Sequence, residues 1–475
     1  MSPNPPETQQ ASGTGSVTGL ILLATTLFVL LSEWTGSTSL RYPAAIGVAL
    51  FIAVSIPYVR WSRRIFIIVA IALTLSAYFT NPNWWQITNS AMNSAAFIAA
   101  FFTALTSLRS ASATSPSIEK CGHFLAEQPP GRRYLALTTG GHLFALVLNY
   151  GAISLLGNLA EVSARREPNE EIRNHRLRRM LLAIQRGFIS TLPWSPLTFA
   201  IAISTSLVPG ATWAGALAYC LGSALILAGI GWAMDAIFKP RLTVPVPQRQ
   251  KPQESWTSLL PLLVLLALLA FVIGTIHLIT GIRAVGVVML VVPLVSVAWI
   301  AIQNLDEAPF KQASQQIHHY ISSDLPGYTS ELVLLAMAGF IGTIGAQLLG
   351  PMVAGSHLDM GVIPGWLLLV SLVWIIPIAG QLGMNPILSV SLLAPLLPTS
   401  AQLGVSPAGI VTAITAGWAL SGASSPFTAT TMLVGNVAGV SAWRVGLKWN
   451  GAYSLVCAVA LSVWVAIVAL HFTPI

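Results

Sequence analysis

RGFISTLPWSPLTFAIAISTSLVPGATW, from Arg186 to Trp213, and AGWALSGASSPFTATTMLVGNVAGVSAW, from Ala416 to Trp443, read as two copies of one segment. Laid side by side without gaps, they match at Gly187/Gly417, Ser195/Ser425, Pro196/Pro426, Thr198/Thr428 and Trp213/Trp443. The identities are few, but their arrangement is informative. Each copy is apolar enough to enter a bilayer, and each is interrupted at its middle by Ser-Pro-x-Thr. Proline removes a backbone donor and clashes with the preceding turn, so each helix is expected to break there. Helices broken at corresponding points of two halves point to the binding site of a transporter.

The rest of the composition agrees with a membrane setting. The 475 residues are 55% hydrophobic and only 8% charged, against about 25% charged in soluble domains. Mean hydropathy is +0.74. Long continuous apolar runs predict an all-α polytopic membrane protein, because a spanning chain must satisfy its own backbone groups. A β-barrel would alternate instead. Cys121, Cys220 and Cys457 show no metal or redox spacing.

Outward from the two copies, residues 1–16 read as a disordered polar tail and 17–41 as a first transmembrane helix with its loop. A first repeat covers 42–238, a linker rich in Pro and Gln covers 239–256, and a second repeat covers 257–475. Within the repeats, apolar stretches at about 135–158 and 365–398 carry polar turns at their centres, Leu148-Asn149-Tyr150-Gly151 and Gly383-Met384-Asn385-Pro386. The basic loops on both sides of 135–158 belong in the cytoplasm by the positive-inside rule. That stretch is therefore expected to enter and leave on one face, as a re-entrant hairpin. Its counterpart at 365–398 is the second hairpin. The broken helices are expected at about 181–206 and 407–434. About 11 crossings result, with the N-terminus inside and the C-terminus outside. Every Lys and Arg except Arg41 and Arg283 then falls on the cytoplasmic side, Arg186 being counted with its basic loop. The two halves form an inverted repeat.

This layout resembles the ion transporter superfamily, nearest in plan to the divalent-anion:sodium symporters and citrate-transporter-like permeases, over roughly residues 43 to 471. Those symporters carry Ser-Asn-Thr at both hairpin tips; here only Asn149 and Asn385 carry over. Their Thr-Pro-rich breaks correspond loosely to Ser195-Pro196-Leu197-Thr198 and Ser425-Pro426-Phe427-Thr428. The resemblance implies one substrate held between two cation sites, and a transport domain that moves as an elevator against a homodimeric scaffold.

The site residues expected to bind solute or ion are Asn149, Gly151, Ser195, Thr198, Asn385, Ser421, Ser424, Ser425 and Thr428. Asparagine offers both a donor and an acceptor. The alternative is structural: membrane asparagines often join helices, and hydroxyls can satisfy groups freed by proline. Acidic and basic residues are not expected in the hairpin or broken-helix cores. An anion would then be held by helix N-termini and neutral donors. His142 is the candidate for proton coupling; sodium coupling is favoured over it. The only metal expected is a transported Na+, and no cofactor or nucleic-acid partner is expected. No phosphate-binding loop signature and no recognisable catalytic pair occurs, which argues against ATP as driver and against an enzyme. The expected function is secondary transport of a small anionic organic solute across a bacterial cytoplasmic membrane. The alternatives are an inorganic anion or metalloid permease or exporter of the same plan, a channel, and an intramembrane enzyme.

Overall fold

The computed structural model describes residues 12–113, 115–239, 255–304, 309–354 and 363–471. Its helices are α1 (Ser12–Thr35), α2 (Arg41–Ser55), α3 (Trp61–Thr80), α4 (Trp84–Ala113), α5 (Pro116–Ala126), α6 (Pro130–Leu148), α7 (Gly151–Arg165), α8 (Glu170–Ile189), α9 (Phe199–Leu207), α10 (Trp213–Ile237), α11 (Leu260–Thr280), α12 (Ala284–Gln303), α13 (Pro309–His319), α14 (Leu325–Gly327), α15 (Thr329–Ala354), α16 (Gly365–Gln381), α17 (Pro386–Leu393), α18 (Ser400–Leu403), α19 (Pro407–Ser424), α20 (Ala429–Ala438) and α21 (Gly451–His471). No strand occurs among the described residues. The protein is an all-α polytopic membrane protein.

Nine helices among the described residues are long and apolar enough to cross a membrane. They overlie the nine unbroken spans expected from the sequence. The two broken spans fall outside that set: each is interrupted, at Ser190–Thr198 and at Ser425–Thr428, and the long arm of the first, α8, is rich in charged residues. Three local readings need correction. The tail expected over 1–16 is helical from Ser12, and residues 1–11 lie outside the described residues. The polar stretch 303–330, whose composition by itself predicts a loop, is largely helical over its described residues, through α13, a π-turn at Tyr320–Asp324 and α14. The first broken helix begins at Glu170, capped by the Asn169 side chain on Ile172 N. It therefore takes in arginines that were expected to lie in a loop. Most of the linker expected at 239–256 lies outside the described residues.

The chain divides into two compact units, each drawn from both halves of the sequence. The first comprises residues 1–114 and 276–348. In it α4 packs against α1, α2 and α12. Buried Tyr320 bonds Thr106 Oγ1 at 2.8 Å and the Thr103 carbonyl at 2.6 Å, tying the π-turn to α4. The second comprises residues 115–275 and 349–475 and holds both hairpins and both broken helices. α6 turns back into α7 through Asn149 and Tyr150, and α16 into α17 through Leu382–Asn385.

Within this second unit each hairpin's first arm packs on its own broken helix, α6 on α8 and α16 on α19. Glycine makes the approach close. A Cβ on Gly187 would sit 2.1 Å from the Thr138 carbonyl oxygen, and one on Gly417 would sit 2.6 Å from that of Leu372. The return arms also reach the other broken helix: α7 packs on α20 as well as on α8, and α17 on α9 as well as on α19. Each hairpin thus touches both broken helices.

Candidate functional site

The two breaks share one local chemistry. Ser195 N donates to the Thr191 carbonyl at 3.1 Å, and Ser425 N to that of Ser421 at 2.9 Å. Leu197 N donates to Ser195 Oγ, and Phe427 N to Ser425 Oγ, both at 3.2 Å. Thr198 Oγ1 donates to the Ser195 carbonyl at 2.8 Å, and Thr428 Oγ1 to that of Ser425 at 2.9 Å. A Ser-Pro-x-Thr sequence therefore builds the same turn twice, its hydroxyls replacing the backbone bonds that proline forbids.

The carbonyls freed by the prolines also find partners inside the protein. Pro196 frees Leu192 O, which lies 3.2 Å from Thr198 Oγ1. Pro426 frees Gly422 O, which accepts from Thr430 Oγ1 and lies 3.4 Å from Gln185 Nε2. Both freed oxygens therefore accept hydrogen bonds within the protein.

The breaks differ in length. α19 runs to Ser424, whereas α8 stops at Ile189. Pro193 accounts for this: its counterpart in the other copy is Ala423, so only the first copy loses a further N–H before the Ser-Pro pair.

Each hairpin meets its break differently. At the first, His142 Nδ1 lies 2.7 Å from Ser190 Oγ, and the imidazole stacks on Trp194 with centroids 5.6 Å apart. Ser190 Oγ donates to the Gly187 carbonyl, so the imidazole donates from Nδ1 and keeps its lone pair on Nε2. Tyr150, at the tip, stacks on Phe188 at 5.2 Å. At the second break the contacts are polar. Ser425 Oγ donates to the Gly380 carbonyl at 2.6 Å, and Gln381 Nε2 donates to Ser424 Oγ at 3.2 Å. Ser421 Oγ is fully buried with no hydrogen-bond partner among the described residues, facing Gly380.

The tip residues are not equivalent. Asn149 has φ 49 and ψ −131 and is the one non-glycine residue with positive φ among the described residues. Its side chain makes no hydrogen bond among the described residues. Gly383, 234 positions later, has φ 93. The same spacing of 234 separates Thr138 from Leu372, the carbonyls that face the paired glycines. In this register Asn149 matches Gly383, and Gly151 matches Asn385. Asn385 instead caps α17, its side chain accepting from Ile387 N at 2.9 Å.

Sequence reasoning missed a polar group beside the breaks. Arg186, expected in a cytoplasmic loop, is 5% exposed within α8. Its Nη1 donates to Tyr134 Oη at 3.0 Å and its Nε to Asn450 Oδ1 at 3.1 Å, and the guanidinium lies 4.2 Å from the Tyr453 ring centroid. No carboxylate pairs with it among the described residues. Asn450 is fully buried and donates from Nδ2 to Gln185 Oε1 at 2.9 Å. The available signal was the pair Gln185-Arg186 inside the apolar run from Met180 to Ile189. Further cations gather beyond the hairpin's base. Arg133 is lowered to about 10 by burial and by Arg176 and Arg179 nearby, while Arg179 pairs with Asp235 at 2.7 Å.

No protein-family model and no curated protein sequence matches the chain. Solved structures do match in fold. The YdaH transporter of Alcanivorax borkumensis, described as having an unusual topology, superposes with a TM-score of 0.57 at 16% identity, over 85% of this chain and 98% of that one. MtrF of Neisseria gonorrhoeae, described as illuminating a class of antimetabolite efflux pumps, superposes with a TM-score of 0.54 at 15% identity, over 87% of this chain and 96% of that one. The chain has the fold of these membrane transporters.

Proposed function

We propose that this protein is a secondary active transporter of a small anionic organic solute, built on the inverted-repeat plan of the ion transporter superfamily. The observation that carries the reading is the meeting of both hairpins with both broken helices inside one compact unit. Hairpin tips and helix breaks are what an alternating-access site is made from. An anionic solute suits the buried guanidinium of Arg186, which has no carboxylate partner among the described residues, because an uncompensated buried charge favours a bound counter-charge. Asn149, Gly151, Asn385, Ser421 and Ser424 line the proposed path. Ser195, Thr198, Ser425 and Thr428 shape the breaks that frame it.

Coupling to sodium, an elevator movement against a homodimeric scaffold, and a cytoplasmic N-terminus in an inner membrane complete the proposal. Export is the second reading, favoured by the likeness in fold to a protein described as an antimetabolite efflux pump. Two experiments test the proposal. Expression in an efflux-deficient bacterial host should raise tolerance to at least one member of a panel of sulfonamides, antifolates and fluoropyrimidines if the protein exports such compounds. Proteoliposomes should accumulate a labelled organic anion when a sodium gradient is imposed. Accumulation driven only by a proton gradient would transfer the coupling role to His142. Conductance through the protein with no dependence on a gradient of coupling ion would replace the transporter by a channel.

A further inference from the structure

We propose that Arg186 is a positioning residue for the second break, acting through Asn450 and Gln185 by fixing the direction of a hydrogen-bonded chain. The argument rests on what each group can do. Guanidinium has donors only. Asn450 must therefore turn its oxygen to Arg186 Nε, at 3.1 Å. Its amide nitrogen is left facing Gln185, at 2.9 Å. Gln185 must then present its oxygen to Asn450 and its NH2 group to the Gly422 carbonyl, at 3.4 Å. Every link donates in the same sense, away from the charge, and such chains reinforce themselves where the surroundings are dry. Asn450 is fully buried, as is Gln185.

The end of the chain is the carbonyl that Pro426 leaves without its helical partner. A residue in the first broken helix thus decides whether a donor or an acceptor faces the freed oxygen in the second. If Gln185 were reversed, two oxygens would face each other there, and the carbonyl would keep only Thr430. The first break has no such dependence, because Leu192 O is met by Thr198 from its own turn. The polarity of the chain joins the two broken helices in one direction, from α8 to α19.

The test is isosteric and needs no transported solute. Asn450→Asp gives Arg186 a carboxylate but removes the donor to Gln185, and with it the weaker bond from Asn450 Nδ2 to the Val445 carbonyl at 3.3 Å, so Gln185 must turn its NH2 group towards Asp and its oxygen towards Gly422. Hydrogen–deuterium exchange of the full-length protein in lipid nanodiscs should then quicken at residues 419–431 by about five-fold, the scale of one lost hydrogen bond. Exchange at residues 188–200 should not change. Arg186→Lys, which still donates, should leave residues 419–431 near wild type, whereas Arg186→Met should quicken them. Unchanged exchange at 419–431 in Asn450→Asp, or equal quickening in the Lys and Met variants, would overturn the proposal and leave Arg186 a packing residue. Transport is read separately in the same variants, so a failure of the transporter reading leaves this result standing.

Discussion

Asn149 and Gly383 hold positive φ, 49 and 93, at corresponding points of two hairpins 234 positions apart. Glycine enters this region freely, whereas other residues do so at a cost of about 1–3 kcal/mol. The first hairpin therefore carries strain that the second avoids, and it carries it on a side chain with no hydrogen bond among the described residues.

Asn149→Gly should relieve that strain. Part of the gain is offset by the greater freedom of glycine in the unfolded chain, leaving a net stabilisation of about 1 kcal/mol. If the amide contacts the solute, transport in proteoliposomes should fall even as the thermal midpoint rises. A variant that is more stable and transports normally would remove Asn149 from the site.

Gly187→Ala and Gly417→Ala should each destabilise by about 1–3 kcal/mol, because the added methyl meets a backbone carbonyl that cannot swing away. Gly274→Ala, where nothing lies within 4 Å, is the control. It should be neutral or stabilising by up to about 1 kcal/mol, the helix preference for alanine. Thermal unfolding in detergent measures all three. Equal behaviour of Gly187→Ala and the control would contradict the close packing of α6 on α8.

Pro193→Ala restores an N–H where the second copy has Ala423. The first break should shorten towards the length of the second, with slowed amide exchange at residues 190–194. Exchange as fast as in the wild type would mean that Pro193 is not what lengthens the break.

His142→Gln retains a donor for Ser190 and removes a titrating group. Under sodium coupling, the pH dependence of transport should be unaltered. Loss of a pH-dependent limb in this variant would instead show that His142 carries the proton.

Cysteines placed at exposed Arg132 and Arg166 should both react with an impermeant maleimide from the cytoplasmic face. These positions flank the first hairpin. Labelling from opposite faces would make α6 and α7 a crossing and end the inverted repeat.

Much of the architecture was legible without coordinates. Nine unbroken spans followed from apolar length, because a bilayer demands about 20 such residues and internally paired backbone. The breaks followed from Pro196 and Pro426, because a missing N–H acts locally whatever surrounds it. Turn residues marked both hairpin tips for a similarly local reason.

Tertiary structure decided what local rules cannot reach. The sequence aligned Asn149 with Asn385 by residue type. Packing aligns Asn149 with Gly383 and turns Asn385 into a helix cap, because register depends on which carbonyl faces which glycine. Charge counting assigned Arg186 to a loop. The fold buries it among Tyr134, Asn450 and Tyr453, residues 52, 264 and 267 positions away in the chain. The interleaving of two units from both sequence halves was equally invisible. Local backbone chemistry is written into neighbouring residues, whereas burial, partner choice and register depend on contacts between distant ones.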